Sequence, residues 1–469
     1  MSNILAKLDI TKSNRGKGKI TSVDMTEGNI VKHILRFSIP LLMVNFLQQL
    51  YTVADAWVVG NFASNEAFSA VGTVTPIVSM MIGLFSGIST GAGVVISQYY
   101  GARQRRKVKD VVHTAMTASL IISLVMTVLG IVGAPWILRF MNVPDEVFDE
   151  ALTYLTIYLF GLVGLAIHNM GTSILGAIGD PRRPLFFLIS VVMNAVLDLL
   201  LVIVFDMGIA GVALATVLAQ SISAVLVVIA LMRDNDCIRL VFDKLGINVE
   251  LLGKILKVGI PAALQLIVVS TSELFVQRYV NNLNDADLLS GYTAYLRIEE
   301  FLLLPIQALS VAATTFVGQN IGYSLRKRAR RGTLVALGFS ALFTLALVSV
   351  ILVFTPDIVA FFNAKEEVVR YGTILLRVIS PFYLLCCVIQ VLMGSVSGVG
   401  RTFVPMIILI SSFIGARQLY LFVVTNFVAN TIVSVGLVYP VGWICAAIAM
   451  LFYYILCEFD TELITEGEE

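Results

Sequence analysis

Charge is scarce in this chain. Asp, Glu, Lys and Arg make up 13% of its 469 residues, where a soluble domain carries about 25%. A soluble globular protein is thereby excluded. Histidine is scarcer still: His33, His113 and His168 fall on separate elements with no metal-ligand spacing. The five cysteines, Cys237, Cys386, Cys387, Cys445 and Cys457, have neither metal nor redox-motif spacing and are expected to be free thiols. There is no phosphate-cradling glycine loop and no nucleophile motif, so no enzyme and no cofactor are expected. Residues 1–29 have no apolar core. No cleavable leader is expected, and the first hydrophobic span directs insertion.

Apolar residues dominate instead, at 58%. Runs long enough to cross a bilayer recur about twelve times, near 34–59, 68–99, 110–135, 149–178, 185–205, 209–232, 255–279, 288–320, 332–355, 368–396, 405–427 and 437–457. The pattern predicts an all-α polytopic membrane protein. The second, fourth, eighth and tenth runs exceed a straight crossing and are expected to tilt, bend or project. Pro40, Pro76, Pro261, Pro305 and Pro381 are expected to bend their helices.

Positive charge in short loops sets orientation. The turn after the second run reads GARQRRKVK, and the turn after the eighth reads GYSLRKRARR. Arg182, Arg183, Arg233, Lys244, Lys254 and Arg401 fall on the same side. The opposite loops carry Glu66, Asp145, Glu146, Asp285, Asp287, Glu366 and Glu367. Both termini are therefore expected in the cytoplasm. The basic turns are read as topological signals, not as a nucleic-acid surface.

The chain also repeats itself. Ile34-Leu-Arg-Phe-Ser-Ile-Pro40 resembles Ile255-Leu-Lys-Val-Gly-Ile-Pro261, an offset of 261 − 40 = 221. The same shift carries Gln98 onto Gln319, Gly101 onto Gly322, Arg105 onto Arg326, Asn142 onto Asn363 and Gly179 onto Gly400. This register implies a tandem duplication of six spans. An even number of spans makes the copies parallel, related by a pseudo-two-fold axis along the membrane normal. The expected organisation is a tail (1–33), a first lobe (34–232), a linker (233–254), a second lobe (255–457) and an acidic tail (458–469). Two such lobes suit alternating access, with substrate between them; a channel or a non-transporting scaffold has the same outline.

Two polar residues interrupt Leu185–Phe205, LFFLISVVMNAVLDLLLVIVF. Asn194 and Asp198 lie four apart, on one helix face. A carboxylate at this depth costs about 2.5–3.5 kcal/mol on insertion scales and usually faces a cavity or a partner. The alternative is an interhelical hydrogen bond that only fixes packing. Asp55, in LQQLYTVADAWVVG, falls at similar depth in the first span. If the two helices are neighbours, Asp55, Asn194 and Asp198 form one cluster. It could exchange a proton, because burial and a second carboxylate raise a carboxyl pKa, or it could hold Na+. The shift maps these residues onto Val276, Gly415 and Leu419, so the cluster is one-sided.

The second half has its own charges. Glu273 and Arg278, or Arg297 and Glu300, are expected ion pairs; the other reading is an acidic lining for a cationic substrate. Gln48, Tyr51, Glu273, Tyr292 and Glu299 are the candidate cavity residues. Arg278, Arg297, Arg377 and Arg417 keep open a basic cavity suited to a lipid-linked pyrophosphate. Gly83, Gly87 and Gly91 step at four and are read as a close helix contact.

The stretches IPLLMVNFLQQLYTVADAWVVG, GAGVVISQYYGA, VGQNIG and GVGRTFVP resemble the multidrug and toxic compound extrusion (MATE) family over roughly 30–457. The resemblance implies a V-shaped pair of six-helix lobes in a bacterial cytoplasmic membrane. It implies antiport of small organic compounds, often cations, against H+ or Na+. Asp55, Asn194 and Asp198 match that family's first-lobe cation site, with H+ the expected ion. The second-lobe site of some members needs an acid in the tenth span, and 368–396 has none. A monomer bound to membrane lipid is expected, and a lipid-linked saccharide flippase of the same superfamily is the alternative.

Overall fold

The computed structural model describes residues 24–62, 65–141, 143–180, 183–234, 237–283, 285–428, 431–460 and 463–464. Among them every regular element is a helix, since backbone in hydrocarbon must satisfy its N–H and C=O groups within the segment. The first half runs α1 (Ile30–Phe62), α2 (Asn65–Gly101), α3 (Arg105–Phe140), α4 (Asp145–Phe160), α5 (Leu162–Ala177), α6 (Arg183–Asp198) and α7 (Gly208–Met232). A linker containing the short turn Phe242–Lys244 leads into α8 (Val249–Asn281), α9 (Ala286–Gly322) and α10 (Arg326–Val353). Then come α11 (Thr355–Phe362), α12 (Glu366–Ile379), α13 (Tyr383–Val399), α14 (Phe403–Leu409), α15 (Arg417–Phe427), α16 (Ile432–Gly436) and α17 (Val438–Leu456). Ten helical stretches are long and apolar enough to cross a membrane, and the bent pair α4–α5 makes an eleventh. The shorter apolar stretch Leu188–Val204 stands where the fifth span is expected.

The overlong spans resolve in different ways. The fourth bends by 46° between α4 and α5. The tenth changes from α12 to α13 through the tight turn Ser380–Phe382, where Pro381 has no N–H to continue the ladder. The second and eighth, α2 and α9, run on as 37-residue helices through Pro76 and Pro305. Outward faces are apolar, as on α3, where Trp136 and Phe140 are exposed.

The 221-residue shift holds in the backbone. Gly179 and Gly400 both take positive φ, 71° and 98°, a conformation glycine reaches without a Cβ clash. Arg103 and Ser324, also 221 apart, have φ of 59° and 60°. The two halves exchange matching hydrogen bonds: Gln98 Nε2 donates to Gly398 O at 2.8 Å, and Gln319 Nε2 donates to Ala177 O at 2.9 Å. All four groups are buried, and both donor–acceptor pairs map onto each other under the shift.

The halves also meet where α2 crosses α8. At Gly87 a Cβ would collide with the Ala263 backbone, and at Gly91 with Ile255 O and Gly259. The glycine stripe is thus the close contact expected of it. Gly87→Leu is expected to destabilise the protein by about 1–3 kcal/mol, the usual overpacking penalty. Thermal unfolding in detergent measures it, with Gly253→Leu as the control, since that position opens on free space.

Candidate functional site

In the first half the site is built on α6 and α1, which pack against each other. Asp198 ends α6, and its side chain is only 2% exposed. Asn194, one turn earlier, donates Nδ2 to Asp198 Oδ2 at 2.8 Å. Directly after Asp198 the helix widens into a π-helical stretch, Leu199–Val204; such interruptions recur at functional sites. The structure therefore brings Asn194 and Asp198 together. Tyr51 and Asp55 lie on α1, but their side chains fall outside the described residues. In the second half the position matching Asp198 is Leu419, which is 66% exposed on the outer surface of α15.

The second half holds a different cluster. Arg417 opens α15 after a second π-helical stretch, Ile410–Ala416. It is 2% exposed, its Nη1 donates to Ser272 Oγ at 3.0 Å, and its guanidinium lies 3.8 Å from the Phe413 ring centroid. Its Nε is buried with no partner. Around it stand hydroxyl pairs: Tyr292 with Tyr439 at 2.7 Å, and Tyr295 with Tyr383 at 3.1 Å. Glu299 stands beside Tyr383 and Tyr295. Trp443 packs on Tyr383, with ring centroids 5.0 Å apart. This half thus carries a buried cation ringed by aromatic hydroxyls, and Glu299 belongs to it.

Glu273 stands at the edge of this cluster, close enough to Arg417 and Glu299 to interact with both charges. With Tyr292, Ser270 and Gln277 it lines a cavity of about 220 Å³ whose opposite wall is Thr75, Pro76, Ser79 and Met80 of α2. The cavity lies between the halves. Two expected cavity residues, Glu273 and Tyr292, are on its wall; Glu299 and Gln48 are not among its lining. Gln48 is exposed on α1, beside Gln49, which hydrogen-bonds to Glu300 across the halves.

Of the two expected ion pairs, Arg297–Glu300 forms at 3.8 Å. Among the described residues Glu273 and Arg278 do not pair; Arg278 lines a separate polar cleft with Asn282, Gln418 and Asn426. The four arginines of a basic cavity do not converge. Arg417 is buried, Arg297 is paired, Arg278 is in the cleft and Arg377 is exposed. The tyrosine ring was not singled out from the sequence. Its signal is the spacing Tyr292, Tyr295, Glu299, which shares one helix face.

Two segments of the chain, residues 40–200 and 261–423, match the MatE family model. Their starts are 221 residues apart (261 − 40), the shift of the internal repeat. The chain is 28% identical over 428 residues to "Probable multidrug resistance protein YoeA" of Bacillus subtilis, covering 89% of this chain and 92% of that protein. It is 24% identical over 446 residues to "Multidrug export protein MepA" of Staphylococcus saprophyticus, covering 92% and 95%. Among solved structures it matches "Outward-facing conformation of a multidrug resistance MATE family transporter of the MOP superfamily" with a TM-score of 0.88, at 22% identity, over 94% of this chain and 98% of that one. At that identity the likeness is one of fold.

Proposed function

The chain belongs to the MatE family, a family of multi-pass membrane transporters and not of enzymes, and from that premise we propose that it is an antiporter. It exports amphipathic organic compounds, cations among them, in exchange for H+, with Na+ as the other ion the same oxygens would take. The names of YoeA and MepA support multidrug export as the cargo class. The observation that carries the reading is the pair of Asn194 with buried Asp198, present in one half and replaced by Gly415 and Leu419 in the other. Packing alone does not need a titratable group there.

The two halves, 34–232 and 255–457, rock as lobes about the linker 233–254. The glutamine bonds and the α2–α8 contact hold them together at the end bearing the basic turns, which is the cytoplasmic end by the charge rule. Both termini lie on that side. The cavity beside Glu273 is the substrate space, and the ion site at Asp198 is separate from it. Loading Asp198 with a proton removes a buried charge from the first lobe. That change biases α6 against α1 and so couples ion binding to the position of the lobes.

The test is dye efflux from proteoliposomes under separately imposed pH and Na+ gradients. Efflux should follow the pH gradient; ion flux with no movement of organic solute would instead identify a channel. Glu273→Gln is expected to raise the KM for a cationic dye about tenfold, the loss of one charge-assisted contact. Transport of a neutral dye, measured in parallel, should hold its KM.

A further inference from the structure

The cytoplasmic face of the first half carries a second site, unrelated to transport geometry. A cavity of about 700 Å³ opens between the start of α3 and the linker. Arg106 and Lys109 project from α3, and Arg239 and Lys244 from the linker, with Asp110 the one acid on the wall. Among the described residues none of these four cations forms an ion pair within 4 Å. The linker is pinned over the cavity from both sides: Val241 N donates to His113 Nε2 at 3.1 Å, and Asn248 N donates to Thr114 Oγ1 at 3.2 Å. The wall is therefore built, not draped.

The other half explains why the cations are left over. Under the 221 shift Arg106 and Lys109 become Lys327 and Arg330, and Arg239 becomes Asp460. There the chain supplies its own acceptors. Asp460 pairs with Arg326 at 2.5 Å, and Cys457 O accepts from Arg330 at 3.0 Å. Ile238 and Phe459, which match under the shift, are both buried, so the linker and the C-terminal segment dock alike. What differs is the sign of the next residue: Asp460 in one half and Arg239 in the other.

We propose that this cavity binds a phosphate-bearing anion, held by Arg106, Lys109, Arg239 and Lys244. The rim favours a lipid headgroup of the cytoplasmic leaflet. Phe242, Ile247 and Val249 are exposed on the linker, and Leu120, Ile121 and Leu124 are exposed about three turns further along α3. Basic side chains flanked by apolar ones at this depth meet the phosphate of an anionic lipid while its chains run along the apolar face.

The experiment uses the full chain in detergent, with phosphatidylglycerol, phosphatidylcholine and inorganic phosphate as probes, read by native mass spectrometry and thermal unfolding. The wild type should retain one phosphatidylglycerol in preference to phosphatidylcholine. Arg239→Asp, which removes one cation from the wall and puts an acid in its place, should weaken that retention by about tenfold or more. Lys109→Gln should weaken it severalfold and keeps the test valid if the first variant folds poorly. Lys327→Gln, at the matching place in the other half, should change nothing. Stabilisation by millimolar inorganic phosphate, with displacement of the lipid, would assign the same site to a soluble phosphate. Equal lipid retention by wild type and both first-half variants, with no stabilisation by phosphate, would overturn the proposal.

Discussion

Asp198→Asn is expected to reduce gradient-driven efflux to the level of protein-free vesicles while a folded protein remains in the membrane. The substitution keeps the shape of the side chain and one oxygen to accept from Asn194 Nδ2, which now sits 2.8 Å from Asp198 Oδ2. It removes the only property packing does not use, a carboxyl that can change charge. Stability should therefore change by about 1 kcal/mol or less, the net value of one buried hydrogen bond. Efflux in proteoliposomes gives the transport result, and thermal unfolding of the same preparation gives the stability. Asn194→Ala separates the alternatives further. It removes the hydrogen bond and keeps the carboxylate, so a site that only fixes packing would suffer more from this change than from Asp198→Asn. Full transport by Asp198→Asn would end the coupling role proposed for it.

The second large effect is expected on the balance between the two lobe positions. Gln98→Leu combined with Gln319→Leu removes both crossing hydrogen bonds and leaves Gly398 O and Ala177 O buried without those donors. Each lost partner costs about 1–3 kcal/mol. Together the two should shift the ratio of closed to open ends at the basic turns by roughly 2–6 kcal/mol, about 30- to 25,000-fold. Spin-label distances between the loops that follow α2 and α9 should lengthen in the double variant and much less in either single one. Gln319 Oε1 also accepts from Met25 N at 3.0 Å, so its single variant should show the larger of the two small effects. Unchanged distances in the double variant would mean that the glycine contact of α2 on α8 alone sets the closed state.

Much of the architecture was legible in the chain. About twelve apolar runs and the 221-residue repeat could be read by counting, because transfer into lipid is a property of each residue in its own segment. The repeat was even legible in pairs that the backbone honours, such as Gly179 and Gly400. The Asn194–Asp198 contact followed from a spacing of four on one helix.

The residues that meet across helices were not legible in the same way. Arg417 and Leu419 stand two apart in one apolar run, yet the first is 2% exposed and the second 66%. In lipid the outside of a helix is as apolar as its inside, so no amphipathic stripe marks the buried face. The Tyr292–Tyr439 and Tyr295–Tyr383 pairs, the widened turns beside Asp198 and Arg417, and the gathering of Glu273 and Glu299 near Arg417 all depended on how the helices stack. The chain by itself determined that it is a polytopic helical membrane protein, that its two halves repeat, and that one half has an acid where the other has leucine. Tertiary structure alone decided which glutamine reaches which carbonyl, which arginine is enclosed and which cations the linker and α3 gather round one cavity, because those choices belong to pairs of segments and not to any one of them.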